Sequence, residues 1–222
     1  IGEEGLNFDN FYSAYSVCSP ARFSLMTGRY PFRGYADNVI YPTFDTFSPF
    51  ASTRIFNSIE MGNNCDGMLG DEITIAEVFQ NAGYNTGAFG KWHLGLGDKT
   101  GEQDWNAPLP ASLGDLGFDY HYIMAATGDR VPCVFIENGQ VANYDPSAPI
   151  EVSYIRNFEG EPTGRENPEL LYNQKSSHGH DMAIVNGIGR IGFMKGGGKA
   201  LWKDENIADS ITHHAIDFIK QH

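Results

Sequence analysis

Apolar positions along this chain fall into two rhythms, and each rhythm predicts a set of elements. Ile75, Val78, Phe79 and Ala82 recur at helical spacing, so a helix is predicted over 71–83 with those four on one face. Thr74 followed three residues later by Glu77 forms a capping box at its start, and Gly83 stops it. The run 84–89 then reads as a short buried strand, and helix followed by strand suggests one half of an α/β unit. Toward the end, Ile207, Ile211, Ala215, Phe218 and Ile219 form one stripe, predicting a helix over 204–221 with His213 and His214 on its flank. Two short apolar runs, 131–136 and 140–143, flank Glu137, Asn138 and Gly139, which predicts a hairpin with an Asn-Gly turn.

Near the start, Phe8, Phe11, Tyr12 and Tyr15 mark a strand or extended segment over 6–17. Next comes Cys18-Ser19-Pro20-Ala21-Arg22, where a proline suited to the first turn of a helix places Cys18 at a helix N-terminus. That helix should carry Leu25 and Met26 into the core and end at Gly28. The stretches 29–64 and 98–110 lack periodicity and read as loop, and 145–164 reads as a long surface insertion suited to substrate specificity.

Composition narrows the class. With 222 residues, 41% hydrophobic, and 15 Phe, 11 Tyr and 3 Trp, the chain has ample material for one large core. A net charge of -13 argues against nucleic acid as a partner, since its backbone demands basic surface. A local pocket lined by Arg22, Arg29 and Lys91 can still be positive on an acidic molecule. No apolar run approaches the length of a membrane span, and no signal peptide is seen. The start at Ile1, within a helix that Gly5 would end, reads as a cut from a longer chain. Three cysteines leave one over: if Cys18 is reactive, Cys65 and Cys133 either pair in an oxidising compartment or are two ordinary buried thiols.

Chemistry concentrates in two stretches. At the first, the free N–H groups and dipole of a helix N-terminus, with Arg22 one turn on, favour an anion beside the Cys18 thiol. The second, Gly90-Lys91-Trp92-His93-Leu94-Gly95, follows a predicted strand, and ligands of open α/β sheets bind beyond the carboxyl ends of strands. Gly95-Leu96-Gly97 lacks the spacing of a phosphate loop. Downstream, His178, His180 and Asp181 suggest contacts to substrate more than a metal site, because no third distant ligand is in hand. Lys195, within a glycine-rich run, is a similar candidate for substrate binding.

The first stretch, continued by Thr27-Gly28-Arg29, resembles the CxPxR…TGR signature of the type I sulfatases, and Gly90-Lys91-Trp92-His93-Leu94-Gly95 resembles their second signature. Leu116-Gly117-Phe118-Asp119-Tyr120 and the Trp202-Lys203-Asp204-Glu205 helix entry are also similar to the family. The resemblance implies an α/β fold of the alkaline phosphatase superfamily, a mixed sheet sandwiched between helices, with 1–222 a partial N-terminal catalytic domain and about 98–200 its substrate-facing insertion. It further implies that Cys18 is oxidised by a formylglycine-generating or anaerobic maturation enzyme to formylglycine (3-oxoalanine), whose hydrate attacks sulfur and later expels sulfate. Lys91 would bridge sulfate and nucleophile, His93 orient or deprotonate the hydrate, and Arg22 steady it. Ca2+, or Mg2+, would be held by the modified Cys18 with other ligands outside this chain, so the piece alone would release no sulfate.

By the same resemblance the substrate is a sulfate ester on a sulfated glycan, with a galactose or N-acetylgalactosamine unit suggested, and the location is periplasmic or secreted. Two other readings remain at this point. One is a phosphate or phosphonate monoesterase of the same superfamily, and the other is a non-catalytic binding module with a free Cys18 thiol.

Overall fold

In a computed structural model the described residues are 3, 5–16, 18–30, 73–97, 103–177 and 179–222. The expectations for the chain start before residue 5, for most of the loop 29–64, for Cys65 and for His178 lie outside them. The first element is helix α1, Cys18–Thr27, which buries Pro20 and Phe23. It ends where Gly28 takes φ 67, a left-handed cap that a glycine adopts without a Cβ clash. Met26 packs at the core edge, but Leu25 is exposed, contrary to the expectation, because Pro20 and Phe23 define the inward face. The segment before it, 5–16, is irregular and largely exposed among the described residues, with no strand.

Helix α2, Ile75–Asn81, is shorter than expected but starts as predicted. Thr74 Oγ1 accepts from the Glu77 N–H at 3.1 Å and Glu77 Oε2 accepts from the Thr74 N–H at 2.8 Å. The Thr74 hydroxyl also donates to Leu116 O at 2.6 Å, which ties the cap to the rest of the fold. The predicted face does not point into the core: Ile75, Val78 and Phe79 are exposed and Ala76 is buried. Periodicity marked an apolar face without saying which neighbour covers it.

The chain then enters strand β1, Gly87–Lys91, which pairs in parallel with β2, Tyr120–Met124. Strands β3, Phe135–Glu137, and β4, Gln140–Val141, continue antiparallel, giving a four-stranded mixed sheet in the order β1-β2-β3-β4 among the described residues. The β3–β4 turn carries Asn138 at φ 46 and Gly139 at φ 79, the two left-handed residues that a two-residue hairpin needs. Beyond it lie two small antiparallel pairs. Strand β5, Glu151–Ser153, pairs with β8, Phe193–Lys195, and β6, Ile184–Val185, pairs with β7, Ile188–Gly189.

Helix α3, Ile207–Gln221, closes the structure across β1 and β2 after a short 3-10 turn over Asp204–Asn206. Its Ile207 and Ile211 pack against the core, and Phe218 lies over Phe89 with ring centroids 5.7 Å apart. A Cβ on Gly87 would come within 3.0 Å of the Phe218 ring, so the missing side chain lets helix and strand approach. Ile219, assigned to the same stripe, is exposed. The sheet interior holds Ile123, Ile136, Val131, Val134 and Cys133, all at or near zero exposure. Burying each such side chain favours folding by about 1.5–3 kcal/mol, so this cluster is the main anchor for everything at the strand ends. Cys133 is a free thiol among the described residues, pushed up to about 12 by burial, and packs as a small apolar group.

Candidate active site

The two informative stretches meet beyond the carboxyl end of β1, and α1 supplies the connection. Ser19 Oγ donates to the His93 carbonyl at 2.9 Å. The Arg22 guanidinium donates through Nε to the Trp92 carbonyl at 2.6 Å and through Nη2 to the Lys91 carbonyl. Planar Arg fits this task because its fork can hold two successive carbonyls at once. Arg22 therefore clamps the loop that carries Lys91 and His93, while its charge still acts on Cys18.

That loop is fixed from the other side as well. The β1–β2 pairing runs on past the strands, with the Trp92 N–H donating to Met124 O at 3.0 Å and the His93 N–H to Ala125 O at 3.1 Å. Buried Trp92 donates its ring N–H to Gly95 O at 2.7 Å, and His93 takes φ 58, an uncommon left-handed position for a residue with a Cβ. Backbone in that region is held by its surroundings, and the imidazole lies within reach of the charges of Arg130, Lys91 and Arg22.

Cys18 is exposed at the first position of α1. A hydrogen bond from the Lys91 ammonium lowers the thiol from its ordinary value against partial burial, and the charges of Lys91 and Arg130 add to the effect. His93 is 8% exposed, and among the described residues neither ring nitrogen has a hydrogen-bond partner. Burial, with the charges of Arg130, Lys91 and Arg22, pushes it down to about 3, so the imidazole is neutral at pH 7. A neutral ring with two unmet nitrogens beside a nucleophile can accept and return a proton once an acidic hydroxyl enters.

Sequence reading missed Arg130 and Asp129. They sit on the loop that follows β2, the structural counterpart of the loop that follows β1. Arg130 donates to Thr127 Oγ1 at 3.0 Å and lies 3.7 Å from Asp129 Oδ1, and its charge reaches both Cys18 and His93. Burial would raise the Asp129 carboxyl, but hydrogen bonds from Thr127 and His180 and the Arg130 charge hold it below the usual carboxylate range. His180 Nε2 is 2.8 Å from Asp129 Oδ2. The usable signal was there: Thr127-Gly128-Asp129-Arg130 is a polar run wedged between buried Ala126 and Val131, directly after a strand.

Of the sequence candidates, Cys18, Arg22, Lys91 and His93 come together, and His180 joins them through Asp129. Lys195 is engaged elsewhere: it pairs with Glu151 Oε1 at 2.9 Å across the β5–β8 ladder and lies 5.3 Å from the centroid of the Phe158 ring. Arg29 is exposed beyond the far end of α1. Among the described residues no group of three or more His, Cys, Asp or Glu is arranged to hold a metal ion. No helix among them is long and apolar enough to cross a membrane.

A family model described as sulfatase matches residues 1–137. The chain is 44% identical over its whole length to an N-acetylgalactosamine-6-O-sulfatase of Bacteroides thetaiotaomicron, and it spans 39% of that relative's length. It is 40% identical over 133 residues to bovine (Bos taurus) arylsulfatase A, which covers 58% of this chain and 20% of that one. Among solved structures, a Bacteroides thetaiotaomicron protein labelled 6S-sulf, described with the metabolism of multiple glycosaminoglycans, superposes with a TM-score of 0.74 at 43% identity. That match covers 94% of this chain and 38% of the other. The mixed sheet with flanking helices is thus an alkaline phosphatase-like α/β fold.

Proposed function

Because the chain belongs to the sulfatase family, we propose that it carries the nucleophile side of a site that hydrolyses sulfate esters on a sulfated glycan, with 6-sulfated N-acetylgalactosamine as the first substrate to try. The observation that carries this reading is the loop of Lys91 and His93 held by Ser19 and Arg22 against the helix that begins at Cys18, with the His93 ring buried and unpartnered among the described residues. In this arrangement the Cys18 sulfur stands where the oxygens of a hydrated formylglycine would stand. Oxidised to formylglycine, position 18 supplies an attacking oxygen and a second oxygen that can expel sulfate.

The chain's own residues do the rest. Lys91 stabilises negative charge on the nucleophile and on the sulfate as it moves between them. His93, neutral at working pH, takes the proton of the attacking hydroxyl. Arg22 and Ser19 hold the Lys91–His93 loop against α1, so that both side chains meet position 18 without reorganisation. Arg130, Asp129 and His180 face the same place from the β2 side, and in this reading a carboxylate and an imidazole there bind sugar hydroxyls. That assigns the region 98–200 to substrate contact. Calcium enters the proposal from family membership alone, and no step is derived through it. Export to the periplasm and maturation of Cys18 by a formylglycine-generating or anaerobic maturation enzyme rest on the same ground.

The test is sulfate release by the matured protein that contains this chain, assayed on N-acetylgalactosamine 6-sulfate, its 4-sulfate and the matching phosphate ester. Preference for the 6-sulfate supports the reading. Turnover of the phosphate ester alone would assign the site to the monoesterases, and a peptide mass showing an unmodified Cys18 with no turnover would assign it to a binding module.

A further inference from the structure

The side chain that fixes the β2 side of the site is not in the site. Arg190 is 1% exposed, a full charge in the interior, and such groups are kept only where they are paired. Its Nη1 donates to Asp204 Oδ1 at 2.9 Å and to the Gly128 carbonyl at 2.7 Å. Its Nη2 donates to Asp204 Oδ2 at 2.6 Å and to the Val185 carbonyl at 2.9 Å. Asp204 is steadied in turn by Asn186 Nδ2 at 2.9 Å, and it opens the turn that leads into α3.

The contact to Gly128, and the backbone on either side of Arg190, lead toward Asp129 and His180. Gly128 immediately precedes Asp129. The next residue after Arg190, Ile191, donates its N–H to the Asp129 carbonyl at 2.9 Å and accepts the Val131 N–H at 3.2 Å. On the other side, a Cβ on Gly189 would fall 2.4 Å from the His180 carbonyl, so the strand that ends just before Arg190 is packed directly on the backbone of His180. One segment therefore sets both partners of the Asp129–His180 contact.

We propose that Arg190 and Asp204 are positioning residues for substrate recognition: their bidentate pair fixes the Asp129–His180 geometry that reads the sugar, and makes no contact with the Lys91–His93 loop. The proposal rests on the reading that Asp129 and His180 face a sulfated sugar. A lysine cannot replace the arginine here, because one ammonium cannot hold two carboxylate oxygens and two carbonyls in a plane. A buried pair that served stability alone would have no reason to separate sugar binding from sulfate binding.

The experiment compares Arg190→Lys with the parent, in the matured protein and well below its melting temperature. It reads kcat and KM for N-acetylgalactosamine 6-sulfate and the inhibition constant of inorganic sulfate. The expected result is a KM raised about tenfold, with kcat and the sulfate constant each changed less than about twofold. Asp204→Asn, which keeps the volume and one acceptor, should act in the same direction and serves if Arg190→Lys does not fold. Equal losses in KM, kcat and sulfate inhibition, or a lower melting temperature with KM unchanged, would overturn the proposal. If the parent hydrolyses no sulfate ester, the sulfatase reading fails, and the variant's crystal structure still decides this one. An Asp129–His180 contact lengthened beyond hydrogen-bond reach supports the positioning role, and one still at 2.8 Å refutes it.

Discussion

Two buried histidines sit at opposite ends of the same parallel strand pair, and they do different things. His121, near the start of β2, is 2% exposed, and its Nε2 accepts the Gly139 N–H at 2.8 Å while its backbone N–H is held by Asn138 Oδ1 at 3.0 Å. His93, beyond the end of β1, is nearly as buried, yet neither of its ring nitrogens has a partner among the described residues, whereas His121 lacks one at Nδ1 alone. Burial drives both down, His121 to about 4 and His93 to about 3. Their electrostatic company differs. Glu137 and Asp115 pull His121 back up, whereas Arg130, Lys91 and Arg22 press His93 further down. Burial alone therefore does not single out a candidate functional histidine; a ring with both nitrogens unmet among cations does, because such a group costs stability.

The sharpest way to break the comparison is to remove each ring. His93→Ala should cut sulfate release by about 10³-fold, and although it too leaves a cavity it strands no hydrogen-bond partner, so its stability loss should be the smaller of the two. His121→Ala should instead lower unfolding stability by about 2–4 kcal/mol, through a cavity and a stranded Gly139 N–H, and leave kcat unchanged. The pair of measurements is kcat and the denaturation midpoint on both variants. Equal damage to both quantities in both variants would erase the distinction.

A pH series sharpens it next. A histidine held at about 4 when folded takes its proton more readily when unfolded, near about 6.5. Stability from His121 is therefore complete above about pH 6.5, declines as the pH falls, and levels off below about 4, for a total on the order of 3 kcal/mol. His93 acts in the same direction down to about 3. Urea midpoints at pH 7 and pH 4 check this, and His121→Gln should flatten much of the difference.

In the unconverted protein, Cys18 should react with iodoacetamide far faster than Cys133, whose thiol is buried and pushed up to about 12. Replacing Lys91 with alanine should slow Cys18 alkylation by about tenfold, because the thiolate loses its hydrogen-bonded cation. Labelling rates followed by mass spectrometry decide it, and unchanged rates would mean that Lys91 does not act on position 18. The smallest effect belongs to the hairpin end: Gly139→Ala, at φ 79, should cost about 1–2 kcal/mol of stability and leave turnover unaltered.

Local chemistry was legible residue by residue. Pro20 and Gly28 bracketed α1, Thr74 and Glu77 started α2, and Asn138-Gly139 closed the hairpin, because each of these signals works within a few residues of chain. The site was half legible. Cys18, Arg22, Lys91 and His93 stand in two recognisable stretches, while Arg130 and Asp129 occupy a plain polar loop whose importance comes only from lying beside them. Leu25, Ile219 and the face of α2 show the same limit from the apolar side: a stripe says that a residue is apolar, not that a neighbour covers it.

What the sequence determined by itself, then, is where elements start and stop and which two stretches carry the candidate site residues Cys18, Arg22, Lys91 and His93. Those are short-range properties, set by caps, turns and dihedral preferences. The tertiary structure alone decided that Arg22 clamps the loop of Lys91, that His93 is buried without partners, and that Arg190 reaches across to hold the segment before Asp129. Such contacts join residues about 60 to 70 positions apart, and no local rule of the chain specifies them; packing of β1 against β2 and of α3 across both brings them together.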